Sequence, residues 1–261
     1  MEIELGGGVA NAGAVVRSGS HVLRPSNSNT PTIHRFLRTL EKAGFDGASV
    51  PIGVDADGRE RLRFIDGDVP LVPYPRWAQT DEALASIARL MRRFHDAART
   101  FVPGDEDTWS AEMADPEGGT VICHNDVCVE NVVFRNGEAV CLLDFDWAAP
   151  GSPLYDLACM ARMCVPIDDD SRVRFGWHPA NLPVRLRLVA DTYGLDAHER
   201  SGLVAALSGS IARGGQFVLR RVEAGDRNFV EMWNSMGGMA RFDRRRAWWA
   251  ESRGEFDTAM R

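Results

Sequence analysis

The apolar pattern of this chain changes once along its length, and that change limits what the chain can fold into. Short apolar runs separated by glycine-rich turns predict strands at 2–5, 14–17, 21–24, 50–54 and 60–65. One helix lies among them, beginning near Thr30 with Pro31 at its first position and ending around Gly44. After a proline-rich linker, apolar residues recur at helical spacing and predict helices at 80–101, 153–164, 184–193, 198–224 and 227–250. We therefore predict an α+β chain with a small N-terminal lobe, residues 1–67, and a larger helical lobe, residues 68–261.

The composition excludes several classes of partner. The formal charge of −7 argues against a nucleic-acid-binding protein, which usually carries a basic excess. The N-terminal residues resemble no secretion signal, and no apolar run approaches the roughly 20 residues that cross a bilayer. The five cysteines form no C-x-x-C pair and are expected to be buried free thiols. We expect a cytoplasmic protein with neither nucleic acid nor membrane as partner; nothing in the sequence indicates its oligomeric state.

A β-hairpin is the most specific local prediction, and it falls within residues 121–158. Asn136-Gly137 lies between two apolar runs, and this dipeptide favours a type I′ turn because both of its residues tolerate positive φ. Counting outward from the turn pairs Asn131 with Leu142 on the opposite strand. Asp144 follows Leu142 by two residues, about 7 Å along a strand. Asn131 and Asp144 should therefore lie at the same open end of the hairpin.

Asp126 lies on the loop that leads into this hairpin, five residues before Asn131. Three oxygen-bearing side chains would then meet at one place. Carboxylate and amide oxygens are suitable ligands for Mg²⁺, and phosphoryl transfer needs mainly such a metal and a carboxylate that orients the attacking hydroxyl. On spacing alone, these aspartate and asparagine residues are about equally well explained as turn-formers and helix caps.

Three separated motifs occur in the order and at the spacing of one known family. They are His124-x-Asp126-x-x-x-x-Asn131, Leu143-Asp144-Phe145-Asp146 and Gly151-x-Pro153-x-x-Asp156-Leu157-Ala158. This pattern resembles the aminoglycoside phosphotransferase and choline kinase family, especially bacterial members of unassigned substrate, some of which are described as immunity proteins. The resemblance implies a two-lobed, protein-kinase-like fold that binds ATP or GTP with Mg²⁺ between the lobes. It also implies phosphoryl transfer to a hydroxyl group of a small-molecule acceptor, such as an antibiotic.

The resemblance also implies roles for individual residues of the helical lobe. Asp126 would be the catalytic base, Asn131 and Asp144 would be metal ligands, and Asp146 would make a weaker second contact. Two further residues would support the catalytic loop, namely His124 and Asp156.

In the small lobe, the resemblance implies a nucleotide site made of a glycine loop, a phosphate-binding cation and a hinge against the base. The corresponding residues are Gly7, Gly8, Arg24, Phe64, Ile65 and Asp66. Two departures from the family pattern concern this site. The cation is arginine where lysine is usual, and the helix that begins near Thr30 has His34 and Arg35 where a glutamate is expected.

Two other functions remain open on the sequence. The missing helix glutamate favours a kinase-like protein that binds nucleotide or ligand without turnover, whereas the aspartate and asparagine cluster alone could serve a metal-dependent hydrolase. The charge of the acceptor is also open. The acidic run 168–170 favours a cationic molecule, and Trp248 and Trp249 favour a neutral or aromatic one.

Overall fold

A computed structural model describes residues 2–6 and 13–261 of the chain. The described residues of the N-terminal part form one five-stranded antiparallel sheet and one helix. The strands are β1 (Glu2–Glu4), β2 (Val16–Ser18), β3 (His21–Pro25), β4 (Pro51–Val54) and β5 (Arg59–Arg63). They are arranged in the order β1-β2-β3-β5-β4, and helix α1 (Thr30–Lys42) connects β3 to β4.

The remainder of the described chain is mainly helical, with two short antiparallel strand pairs. Its helices are α2 (Asp81–Ala98), α3 (Pro153–Cys164), α4 (Leu182–Tyr193), α5 (Ala197–Glu223), α6 (Arg227–Met236) and α7 (Gly238–Ala259). The strands are β6 (Val121–Cys123), β7 (Val132–Arg135), β8 (Glu138–Leu142) and β9 (Ala149–Gly151). β6 pairs with β9, and β7 pairs with β8.

One apolar core extends from the small lobe into the helical lobe. Phe36 of α1 is fully buried, and its ring lies 6.2 Å from the rings of both Phe94 and Phe145 in edge-to-face contacts. The linker also joins the two parts, because the backbones of Asp68 and Phe134 exchange two hydrogen bonds of 2.8 Å. The sheet is therefore held against the hairpin β7–β8, and the domain boundary after residue 67 stays a prediction.

The two-lobed α+β fold class is confirmed, and one predicted helix is corrected. The segment predicted as a single helix at 227–250 is two helices, because Gly237 between α6 and α7 has a φ of +99°. Glycine reaches this left-handed region at little cost and ends a helix there. All five cysteines are buried and unpaired, as expected. Among the described residues, no helix is both long and apolar enough to span a bilayer.

Candidate active site

The hairpin β7–β8 has the predicted turn. Asn136 and Gly137 have φ values of +52° and +81°, as both central positions of a type I′ turn require. Arg135 pairs with Glu138 across this turn, as predicted.

The register further from the turn differs from the prediction. β8 contains one extra residue near its middle, so Leu142 pairs with Val132 and not with Asn131. The Leu143 N–H instead donates to the Asn131 carbonyl at 2.8 Å. The predicted pairing was wrong by one residue because an irregularity of this kind cannot be counted from the turn. As a result, Asn131 lies one residue closer to Asp144 than the ideal hairpin would place it.

Asp144 ends the hairpin in an uncommon backbone conformation. Its φ is +61°, a left-handed value that aspartate tolerates better than most residues. Asp144 and Asn131 both line a cleft of about 320 Å³ between the sheet and the hairpin. The structure therefore brings these two predicted metal ligands to one side of one cleft.

A buried carboxylate, Asp156, holds the backbone of the loop that carries Asp126. Asp156 accepts the N–H groups of His124 and Asn125, each at 2.7 Å, and its Oδ2 lies 2.9 Å from Nε2 of His95. Burial by itself would raise the pKa of Asp156, but the hydrogen bond and charge of His95 and further contacts with His124 hold it below its usual value. Asp156 lies in the first turn of α3, which Ser152 caps. The loop-holding position predicted for Asp156 is the one it occupies.

His95, Cys123 and Asp156 place possible ligand atoms within 4.8 Å of one another, but their chemistry does not suit a metal. Both ring nitrogens of His95 are hydrogen-bonded, since Nδ1 lies 2.7 Å from the Tyr193 hydroxyl. Burial raises the pKa of the Cys123 thiol well above its ordinary value, which keeps it protonated. We interpret this cluster as structural support for the loop.

Asp126, the predicted catalytic base, lies on this loop and is partly exposed. Burial raises its pKa to about 7, the charge of Asp144 adds to the rise, and Arg162 opposes it. The Asn131 Nδ2 group donates to the Asp126 carbonyl at 2.9 Å and lies 3.4 Å from its Oδ2. Nε2 of His124 lies 2.9 Å from the Leu143 carbonyl, which fixes the loop to the end of the hairpin.

Arg24 connects the small lobe to Asp144 and Asp146 of the helical lobe. Its side chain lines the cleft and is only 7 % exposed. Nη1 donates to Asp144 at 2.8 Å, Nη2 donates to Asp146 at 2.7 Å, and Nε donates to Glu60. Burial alone would lower the pKa of Arg24, but the three carboxylates raise it above its usual value. Arg24 is therefore a permanent cation at the predicted phosphate position.

Glu60 is the functional candidate that sequence reasoning missed. It is 1 % exposed and lies directly opposite Arg24 in the β3–β5 ladder. Its second carboxylate oxygen lies 2.7 Å from Nε2 of His34 on α1. Arg35 points elsewhere, with its Nε donating to Asp107 at 3.0 Å. Pairing β3 with β5 in register would have revealed Glu60, but a helix and a strand separate these strands in the sequence, and no tight turn sets their register.

The other predicted nucleotide-binding residues differ in their positions. Phe64 and Ile65 line the cleft, as the hinge prediction requires. The Asp66 side chain is 85 % exposed, and its carbonyl accepts a 2.7 Å hydrogen bond from Arg135, so it is not among the residues that line the cleft. Gly7 and Gly8 lie outside the described residues.

Some of the residues that the sequence offered for the acceptor are engaged within the helical lobe. Asp168 pairs with Arg241 at 2.5 Å, and the other two aspartates of the run 168–170 lie 3.9 and 3.4 Å from Arg244 and Arg172. Trp249 is buried and donates to Ser208. Asp168 and Trp249 therefore contribute to the packing of the helical lobe, whereas the side chain of Asp170 is fully exposed.

Comparison with known proteins agrees with this arrangement. The profile of the phosphotransferase enzyme family matches residues 104–188. The trifolitoxin immunity protein of Rhizobium leguminosarum bv. trifolii is 34 % identical over 199 residues, which cover 74 % of this chain and 75 % of that protein.

Solved structures share the fold at lower identity. A choline/ethanolamine kinase family protein from Mesorhizobium loti superposes with a TM-score of 0.62 at 19 % identity, covering 100 % of this chain and 92 % of the other. The streptomycin–ATP–APH(2″)-IIa ternary complex gives 0.56 at 14 % identity, with coverage of 90 % and 92 %. The fold, the three motifs, the family profile and the immunity-protein relative agree, and the chain belongs to the phosphotransferase enzyme family.

Proposed function

We propose that this chain transfers the γ-phosphoryl group of ATP or GTP to a hydroxyl group of a small molecule. The observation that carries the proposal is the placement of Asp126, with a pKa of about 7, beside Asn131 and close enough to Asp144 for the charge of Asp144 to raise that pKa. In this role Asp126 accepts the proton of the acceptor hydroxyl as the oxygen attacks the phosphorus atom. His124 and Asp156 keep the loop in position for that transfer.

The residues at the end of the hairpin fit Mg²⁺. The Asn131 Nδ2 group turns towards Asp126, and its Oδ1 accepts no hydrogen bond from any residue in 2–6 or 13–261. Asp144 offers a carboxylate that is 29 % exposed at the cleft. Carboxylate and amide oxygens, completed by water and phosphate, are the ligands that Mg²⁺ prefers. Asn131 and Asp144 would hold the ion, which would neutralise charge on the phosphates of the donor.

The donor nucleotide is assigned to the cleft between sheet and hairpin. Phe64 and Ile65 would provide apolar contact area for its base, and Arg24, which lines the same cleft and pairs with Asp144, would bind its phosphates. The ATP-containing ternary complex of similar fold supports this assignment. The roles of Asp66, Gly7 and Gly8 stay predictions.

A protein that binds nucleotide without turnover is the alternative. It was favoured by the missing glutamate on α1, which would leave the phosphate-binding cation without its carboxylate. Arg24 nevertheless has a buried carboxylate partner in Glu60, and this contact supports turnover.

The trifolitoxin immunity relative supports an acceptor of the antibiotic or toxin class.

A nucleotide-consumption screen tests the proposal. The protein is incubated with ATP or GTP, Mg²⁺ and a panel of antibiotics and small alcohols, and the products are identified by ³¹P NMR. We expect acceptor-dependent consumption and a phosphate ester, both absent with Asp126→Asn. Nucleotide binding without consumption across the panel would favour the alternative, and absence of nucleotide binding would refute both.

A further inference from the structure

The phosphate-binding cation of this chain is held from within the sheet and not from the helix. Arg24 on β3 and Glu60 on β5 are direct partners in an antiparallel ladder. Side chains at such positions share one face of the sheet, with Cβ atoms about 5 Å apart. The hydrogen bond from Nε of Arg24 to Glu60 therefore follows from the strand pairing itself.

Both oxygens of Glu60 are engaged, which fixes its orientation. Oε1 accepts from Arg24, and Oε2 lies 2.7 Å from Nε2 of His34. Glu60 and Arg24 are 1 % and 6 % exposed, so little water competes for these contacts. A buried carboxylate that is hydrogen-bonded on both oxygens and paired with a cation is well placed to hold that cation in one position.

This contact decides which edge of the guanidinium faces the cleft. Glu60 occupies Nε, so Nη1 and Nη2 point towards Asp144 and Asp146, where the donor phosphates are assigned. Without the charge of Glu60, the two aspartates would be the remaining carboxylate partners of Arg24. Arg24 would then be drawn towards them, and phosphates would have to compete for it.

We propose that Glu60 is a positioning residue that takes the place of the absent helix glutamate and holds Arg24 for the phosphates of the donor. This inference rests on the proposed function, since it requires a nucleotide in the cleft. Because both partners belong to adjacent strands, the strand pairing itself brings Arg24 and Glu60 together, and α1 contributes only the contact of His34 with the second oxygen of Glu60.

Calorimetry with non-hydrolysable analogues tests the role of Glu60. Mg²⁺ complexes of AMP-PNP and GMP-PNP are titrated into the unmutated protein and into Glu60→Gln, which keeps the shape and removes the charge. We expect the dissociation constant of the preferred analogue to rise about 10- to 100-fold, the usual range for a lost charge-assisted hydrogen bond. The control is Glu41→Gln on the exposed face of α1, which should bind as the unmutated protein does.

The double variant His34→Glu/Glu60→Gln separates positioning from simple support of the fold. It returns a carboxylate to the helix, next to the position that Glu60 occupied. If Glu60→Gln raises the dissociation constant a hundredfold, we expect the double variant to bind at least tenfold more tightly than Glu60→Gln. A folded Glu60→Gln that binds within twofold of the unmutated protein would overturn the inference. So would a double variant that binds no better than Glu60→Gln.

Two further outcomes are also decisive. If Glu60→Gln does not fold, Glu60→Asp keeps the buried charge but withdraws it by one methylene group. We expect about fivefold weaker binding from Glu60→Asp, and unchanged affinity would overturn the inference. If the unmutated protein binds neither analogue, the proposed function fails and this inference falls with it; binding that is insensitive to Glu60 would refute the inference alone.

Discussion

Replacing Asp126 with asparagine should stabilise this protein and remove its turnover at the same time. Burial and the nearby charge of Asp144 raise the pKa of Asp126 from 3.8 to about 7 in the folded state. The folded protein therefore keeps a proton that the unfolded chain releases near pH 4. Asp126 favours folding least at pH values above 7, where it is ionised in both states. Asparagine has the same shape and no charge to desolvate.

The magnitude follows from that shift. A rise of about 3 pKa units corresponds to about 4 kcal/mol. Because Asp126 is partly exposed, we take about half of this value, which gives about 2 kcal/mol at pH 8. For a chain of this length, 2 kcal/mol raises the melting temperature by about 4–8 °C. The stabilisation by Asp126→Asn should fall towards zero as the pH is lowered from 7 to 4, because the carboxyl group of Asp126 becomes neutral in the folded protein over this range.

Thermal unfolding at pH 4.5 and at pH 8 measures this difference directly, with turnover assayed in parallel. A general base is worth about 10²–10⁴ in rate, so Asp126→Asn should lose at least a hundredfold. The matched control is Asp170→Asn, whose side chain is fully exposed and which should change neither quantity. The reasoning would be refuted if Asp126→Asn and the unmutated protein had equal melting temperatures at pH 8, or if Asp126→Asn kept activity within a few-fold of the unmutated protein.

The remaining predictions concern the groups around Asp126. In the unmutated protein, kcat/KM should rise with pH up to about 7. Arg162→Met should move the midpoint of this rise to higher pH, because Arg162 lowers the pKa of the base. A pH profile that does not move in Arg162→Met would contradict this prediction. Calorimetry should find nucleotide binding that depends on Mg²⁺, and Asp144→Ala should abolish the dependence; equal affinity in a chelator would rule out the metal assignment. Asp156→Asn should lower the free energy of unfolding in urea by about 3 kcal/mol. One amide oxygen cannot replace a carboxylate that accepts two backbone N–H groups and contacts His95. An unchanged free energy of unfolding would contradict the loop-holding role.

Local chemistry in the sequence was sufficient for the elements and for much of the site. The turn at Asn136-Gly137 was predictable because the positive φ at both positions is a property of those two residues. The position of Asp156 followed from the family resemblance, in which this residue supports the catalytic loop. The motif spacing placed Asp126, Asn131 and Asp144 near one another because a loop and a hairpin of known length connect them.

Contacts between distant parts of the chain decided the rest. The extra residue in β8 shifted the register of Asn131, because strand irregularities depend on how the hairpin packs and not on its turn. The partner of Arg24 depended on the pairing of β3 with β5, which α1 and β4 separate along the chain. The pKa of Asp126 depends on its burial and on the nearby charge of Asp144, and both arise only when the folded chain brings these residues together. The sequence by itself determined which groups could perform phosphoryl transfer, and the tertiary structure decided which of them touch, because burial and charge act through space.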